Sequence, residues 1–282
     1  MNELKSKSFT NVVPTWIDTA QYDFEQAKFL GDVLETRGRQ PRQVAMRETL
    51  FREIGLKSGS RILELGCGTG VVARQLAKIV GPTGRIVAVD CFDHILEYAR
   101  RIGNGGGQVA PIDFVNGDAE QFGRTDNGTF DAVIGMTLLG CVDDVGSVVT
   151  NMRRCAKPGG LVITFDQDYE TLIFDHSDVK LTRKIVGFGA VQNIRNPTVG
   201  RTLAAEMVRA GVKKVQCWGW VYAERDTNSY LITLAERYAN LAVEHRLIPK
   251  ASADGWLAEI RERGRNGTFF ASINYYCSWG DA

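Results

Sequence analysis

Residues Arg61 to Gly70, Arg-Ile-Leu-Glu-Leu-Gly-Cys-Gly-Thr-Gly, constrain the fold more than any other stretch of the chain. An apolar strand carrying one acid, Glu64, empties there into three closely spaced glycines, Gly66, Gly68 and Gly70. Glycine accepts the backbone angles of a sharp strand-to-helix turn, and without a Cβ it lets a ligand approach the main chain. Val71 to Val80 reads as a helix starting at the turn. A strand, a tight loop and a helix in that order suggest a parallel α/β sheet with its ligand at the strand's carboxyl end.

Two ligand classes use such loops, dinucleotides and S-adenosylmethionine (SAM). A dinucleotide fingerprint places its third glycine three residues beyond the second. Counted from Gly68 that position is Val71, so Gly70 comes one residue early. Glu64 points the same way, because a carboxylate so close to the loop repels a diphosphate but suits a cationic amino-acid moiety.

The segment resembles the SAM-binding signature of class I methyltransferases, and the chain downstream continues to match that family. Gly84 to Asp90 reads as a second strand ending in an acid, and the resemblance implies that Asp90 holds the ribose hydroxyls. Asn116-Gly117-Asp118-Ala119-Glu120 resembles the family element whose acid, here Asp118 with Ala119 beside it, contacts the adenine amino group. Phe130 to Thr137 reads as the fourth strand, and Leu161 to Phe165, after the Lys157-Pro158-Gly159-Gly160 turn, as the fifth. The cofactor implied is SAM, held by Tyr22, Glu64, Gly66, Cys67, Gly68, Gly70, Asp90, Cys91, Asp118, Ala119, Met136 and Thr137.

The expected architecture is an α/β, Rossmann-like class I methyltransferase sheet of five parallel strands plus an antiparallel edge strand. Residues 1–58 form a helical cap, with helical spacing at Phe24 to Leu34 and Val44 to Ile54. Residues 59–225 are the SAM-binding domain, and Gly103 to Gly107 connects to the third strand. After Phe165, Asp166-Gln167-Asp168-Tyr169-Glu170 opens a polar stretch that runs through His176 to Arg195, and Thr202 to Ala210 resembles a helix. Val215 to Ala223 has strand character. Residues 226–268 form a helical lid insertion, with helices at Tyr230 to His245 and Ala253 to Arg263, and 269–282 supply the final strand.

Methyl transfer from a sulfonium is an in-line displacement that mainly needs alignment and exclusion of water. A hydroxyl or carbon acceptor also loses a proton, and the candidate bases are Asp166, Asp168, Tyr169 and His176. A solvated or helix-capping carboxylate competes with that role for the two aspartates, and a loop histidine for His176. His94 reads as a residue of a solvated helix face and His245 is left open, neither being favoured for catalysis, and neither belongs to a metal spacing. Trp218, Trp220 and Tyr222 alternate on one strand face and read as core, whereas Trp16 and Tyr22 are placed to close over the cofactor. Arg47 is expected in a surface ion pair rather than on the cofactor carboxylate.

The formal net charge of +1 gives no global attraction to nucleic acid. Gly135-Met136-Thr137-Leu138 also departs from the Asn/Asp-Pro-Pro-aromatic run of enzymes that methylate base or glutamine amino groups. Six cysteines without a close pair, and a polar start with neither signal peptide nor membrane span, read as a cytoplasmic enzyme with free thiols. The closer resemblance is to the ubiquinone/menaquinone methyltransferase-like small-molecule branch. It implies an O- or C-methyltransferase, nitrogen being kept open, that acts on a partly apolar or aromatic natural product or quinone-type molecule. The alternatives are a SAM-binding enzyme catalysing a non-methylating cyclisation or rearrangement and, against the glycine spacing, a nicotinamide oxidoreductase.

Overall fold

Two helices, α1 (Phe24–Arg39) and α2 (Pro41–Ile54), lead into the sheet, separated by Gln40 alone. Asp23 caps α1 by accepting from Gln26 N while the Gln26 side chain returns a bond to Asp23 N, and Pro41 opens α2 where its missing N–H costs nothing. This computed structural model describes residues 22–103, 109–123 and 127–282. Trp16, the first part of the expected cap and nearly all of the Gly103 to Gly107 connection lie outside the described residues.

The sheet then alternates with helices through β1 (Arg61–Leu65), α3 (Val71–Val80), β2 (Arg85–Asp90), α4 (Asp93–Ile102), β3 (Ile112–Asn116), β4 (Phe130–Met136), α5 (Val145–Cys155) and β5 (Ala156–Phe174). After β5 come α6 (Val179–Asn193), a short 3-10 turn, α7 (Leu203–Arg209), β6 (Lys213–Glu224), α8 (Tyr230–Glu244), α9 (Lys250–Arg265) and β7 (Ala271–Asp281). Seven strands lie in the order β3-β2-β1-β4-β5-β7-β6. Pairs from β3 to β5 are parallel, and β7 runs antiparallel to both β5 and β6. The expected antiparallel strand is thus β7, set one place in, with β6 outermost.

Alternation along the strands feeds two cores. Ile62, Ala88, Ile134 and Ile163 pack under α1 to α4, and that cluster continues into α6, α8 and α9; Leu63, Val87, Val133 and Val162 pack under α5 and α7. Tyr222 is buried, and Trp218 and Trp220 pack partly buried against the first cluster. No helix among the described residues is long and apolar enough to cross a membrane.

Two stretches differ from expectation. The run after Phe165 is not a loop, because β5 continues to Phe174 and pairs Asp166, Gln167 and Asp168 with Tyr276, Tyr275 and Asn274 of β7. Its polar side chains find partners inside the protein, so their polarity does not mean exposure. The stretch toward Arg195 is mostly helix: α6, capped by Asp178, buries Thr182, Ile185, Val186, Gly189, Ala190 and Asn193 on one face. Threonine, glycine and asparagine dilute that stripe below what apolar spacing reveals.

Candidate active site

The strand order reverses between β1 and β4, and a cavity of about 490 Å3 opens at their carboxyl ends. Gly66, Gly68 and Gly70 have φ of 69, 52 and 77°, values only glycine adopts readily. A Cβ at Gly66 would sit 2.6 Å from the Leu138 side chain, and one at Gly68 would sit 2.8 Å from Leu34. Both leucines line the cavity, so the glycines make room for its walls as well as for a ligand. Asp90 ties this loop to the next: its Oδ2 accepts from Gly68 N at 2.8 Å and its Oδ1 from Phe92 N at 3.0 Å. Burial pushes the Asp90 carboxyl up, and these backbone bonds oppose that shift.

Glu64 faces the cavity, is 2% exposed, and its Oε2 has no hydrogen-bond partner. Burial, and then the Asp90 charge, push its pKa up to about 8. A carboxylate so placed calls for a cation. Asp118, with Ala119 beside it, opens onto the same cavity at the end of β3, and its Oδ1 accepts from Glu120 N at 2.9 Å. Cys67, Cys91 and Cys141 also line it, and burial pushes the latter two thiols up to about 11 and 12 and Cys67 well above the ordinary range. Protonated thiols of this kind are poor nucleophiles.

The other half of the cavity is built from long side chains. Thr137, just past β4, holds φ of 53°; its N–H donates to Phe165 O at 2.6 Å, and its hydroxyl accepts from Arg37 Nη2 at 3.1 Å. Asp166 lines the wall next to it, with Oδ2 accepting from Leu139 N at 2.9 Å. Burial lifts the Asp166 pKa to about 7, against the pull of the Leu139 and Gly140 amides and of Arg37. Deeper still, Tyr275 Oη accepts from Gln167 Nε2 at 2.7 Å and Gln43 Nε2 at 3.0 Å, and stands 2.5 Å from Tyr230 Oη. Tyr169 donates to Gln167 Oε1 at 2.7 Å and closes the chain.

Glu64, Gly66, Cys67, Gly68, Asp90, Cys91, Asp118, Ala119, Met136 and Thr137 therefore meet in one cavity with Asp166 and Tyr169. Four nominated residues are not among its lining. Gly70 caps α3, with the Phe114 ring against it, and Tyr22 sets its ring edge-on to Phe92 at 6.5 Å. Asp168, expected as a candidate base, is buried and bound by both arms of Arg201, which take up both of its oxygens. His176, expected likewise, stacks on Trp256 at 5.8 Å and accepts from Asp178 N.

Arg47 is not on the surface. It is 6% exposed, lines the cavity, and donates to Gln75 Oε1 at 2.7 Å and Gly38 O at 2.6 Å; burial, and then Arg37, lower its pKa to about 10. Arg37, Gln43, Gln167 and Tyr275 also belong to this wall and were not nominated. Among the described residues no cluster of three His, Cys, Asp or Glu side chains is arranged to hold a metal ion.

A family model described as methyltransferase domain matches residues 62–160. The chain is 31% identical to the ubiquinone/menaquinone biosynthesis C-methyltransferase of Pseudomonas putida over 57% of its own length and 68% of that protein. It is also 26% identical to an uncharacterized 37.1 kDa protein in a transposon of Streptomyces fradiae, over 82% of this chain and 65% of that one, just under two thirds of its length. Its fold is similar to that of phosphoethanolamine N-methyltransferase 2 of Haemonchus contortus in complex with S-adenosyl-L-methionine. There the TM-score is 0.57 at 16% identity, covering 96% of this chain and 61% of that one.

Proposed function

The chain belongs to the class I SAM-dependent methyltransferases, an enzyme family whose cofactor is SAM, and we propose that it methylates a small molecule at oxygen or carbon. The single observation that carries the choice of acceptor is Asp166, a carboxylate in the cavity wall whose pKa of about 7 suits it to take a proton near neutrality.

The residues present fit the cofactor. Glu64, buried with an unpartnered oxygen, meets a cationic amino group, and Asp90 and Asp118 offer acceptors to the sugar and the base. The Arg37 guanidinium hydrogen-bonds only Thr137 among the described residues, which leaves most of its donors for the cofactor carboxylate. Once bound, SAM supplies an activated methyl on sulfur. The chain's part is to position the acceptor, exclude water and receive the proton on an Asp166 oxygen. Met136, Phe165 and Tyr275 supply apolar surface suited to a partly aromatic acceptor, and α8, which carries Tyr230 into the tyrosine chain, acts as the lid.

The test is incubation of the chain with SAM and a panel of phenols, quinols and carbon acids, followed by mass spectrometry. A product heavier by one methylene together with demethylated cofactor supports the reading. An isomeric product with SAM intact would replace it by a cyclisation or rearrangement.

A further inference from the structure

Behind the cavity wall, α6 and α8 bury a second polar cluster that the reaction described above does not use. Asn193 and Tyr238 are 0% exposed and Arg237 is 9% exposed. Arg237 Nη1 donates to Asn193 Oδ1 at 2.9 Å, the guanidinium's only hydrogen bond among the described residues. Among the described residues Asn193 Nδ2 and Tyr238 Oη have no hydrogen-bond partner of ordinary geometry, although the Asn193 side chain lies against the Tyr238 hydroxyl. The packing that holds them is tight, since a Cβ at Gly189 of α6 would lie 2.2 Å from the Tyr238 ring.

A buried guanidinium normally faces a carboxylate, because a lone buried charge is costly. Here the groups acting on Arg237 are the tyrosines 238, 169 and 22, and burial lowers its pKa. The unused atoms of the cluster are an amide NH2, a guanidinium fork and a hydroxyl, so the surplus is of donors and of positive charge. That surplus is complementary to an oxyanion. The cluster lies behind the cavity rather than in its lining, but the residues following Asn193, Ile194 and Arg195, line it, as does Tyr169.

We propose that Arg237, Asn193 and Tyr238 form an anion-accepting subsite, and that the molecule methylated carries a carboxylate or phosphate group that enters it past Tyr169. This rests on the methyltransferase reading for the word substrate, but the subsite itself does not. A neutral acceptor leaves the guanidinium uncompensated; an acidic one of the same shape does not, which gives the enzyme a means of selection.

The test is calorimetric titration of the full chain, with and without saturating demethylated cofactor, at ionic strength held by chloride. Benzoate and inorganic phosphate are the probes and benzamide is the neutral control. Saturable binding of either anion, about tenfold tighter than benzamide, is expected, and Arg237→Gln should weaken it by about tenfold or more, the scale of a lost charged hydrogen bond. Asn193→Asp, which places a carboxylate beside the guanidinium, should abolish anion binding while the melting temperature holds or rises, so the outcome does not depend on Arg237→Gln folding. Binding of benzoate alone identifies a carboxylate acceptor, and of phosphate alone a phosphate ester. No saturable anion binding, or binding that survives Asn193→Asp, overturns the proposal. Anion binding without cofactor binding would instead overturn the methyltransferase reading and leave the subsite standing.

Discussion

The two halves of the cavity are built by different means. The cofactor half is made of short loops at the ends of β1, β2 and β3, and Asp90 reaches only to Gly68 and Phe92. The acceptor half is made of side chains brought together across the chain, with separations of 108 residues for Gln167 and Tyr275 and 232 for Gln43 and Tyr275. The first is a property of a motif, and the second a property of the packed fold. Substitutions should therefore separate binding of the cofactor from turnover.

The largest separation is expected at Asp166. Asp166→Asn should lower turnover by about a hundredfold to ten-thousandfold, the usual share of a positioned base, with the dissociation constant for SAM unchanged. Equal loss in both quantities would merge the halves. On the cofactor side, Asp90→Ala removes the acceptor of two backbone amides and should weaken SAM binding by about tenfold to a hundredfold in equilibrium dialysis. Tyr275→Phe leaves Gln43, Gln167 and Tyr230 short of a shared partner, and should cost about 1–3 kcal/mol in urea unfolding while SAM affinity holds.

The last expected effect is a pH dependence, and its sign is the reverse of the usual acid. Burial raises Glu64 from 4.5 to about 8, so without cofactor the native state keeps a proton that the unfolded chain has lost. Stability of the free protein should fall as pH rises from about 4.5 to about 8, with Asp166 adding the same slope from 3.8 to about 7. A cation at Glu64 favours its ionised form, so SAM affinity should rise with pH up to about 8 and binding should release a proton. Melting curves and calorimetry in buffers of different ionisation enthalpy measure both, and Glu64→Gln should flatten each.

The same contrast decides which parts of the site are legible in the sequence. Gly66 to Gly70, Asp90 and Asp118 are recognisable because their order and spacing along the chain carry the geometry. Gln167 and Tyr275 carry no such mark: one lies in a polar run that resembles a loop, and the other in the last strand. Arg47 shows the same limit, since an arginine on an exposed helix and one buried against Gln75 and Gly38 look alike in one dimension. The helix α6 went unseen because Gly189 and Asn193, on its buried face, are chosen to fit Tyr238 and Arg237 rather than to be apolar.

The position of β7 sets the order in which the molecule can be assembled during synthesis. The strand that joins β5 to β6 is the last of the sheet to be made, so β6, once translated, has no neighbour to pair with while the 46 residues from Arg225 to Phe270, α8 and α9 among them, emerge, roughly seconds at ordinary elongation rates. Through that interval β5 offers a long open edge, the geometry most prone to pairing with another chain. The nascent protein's exposure to aggregation is thus written into its topology, and it ends only when Ala271–Asp281 slides between the two waiting strands.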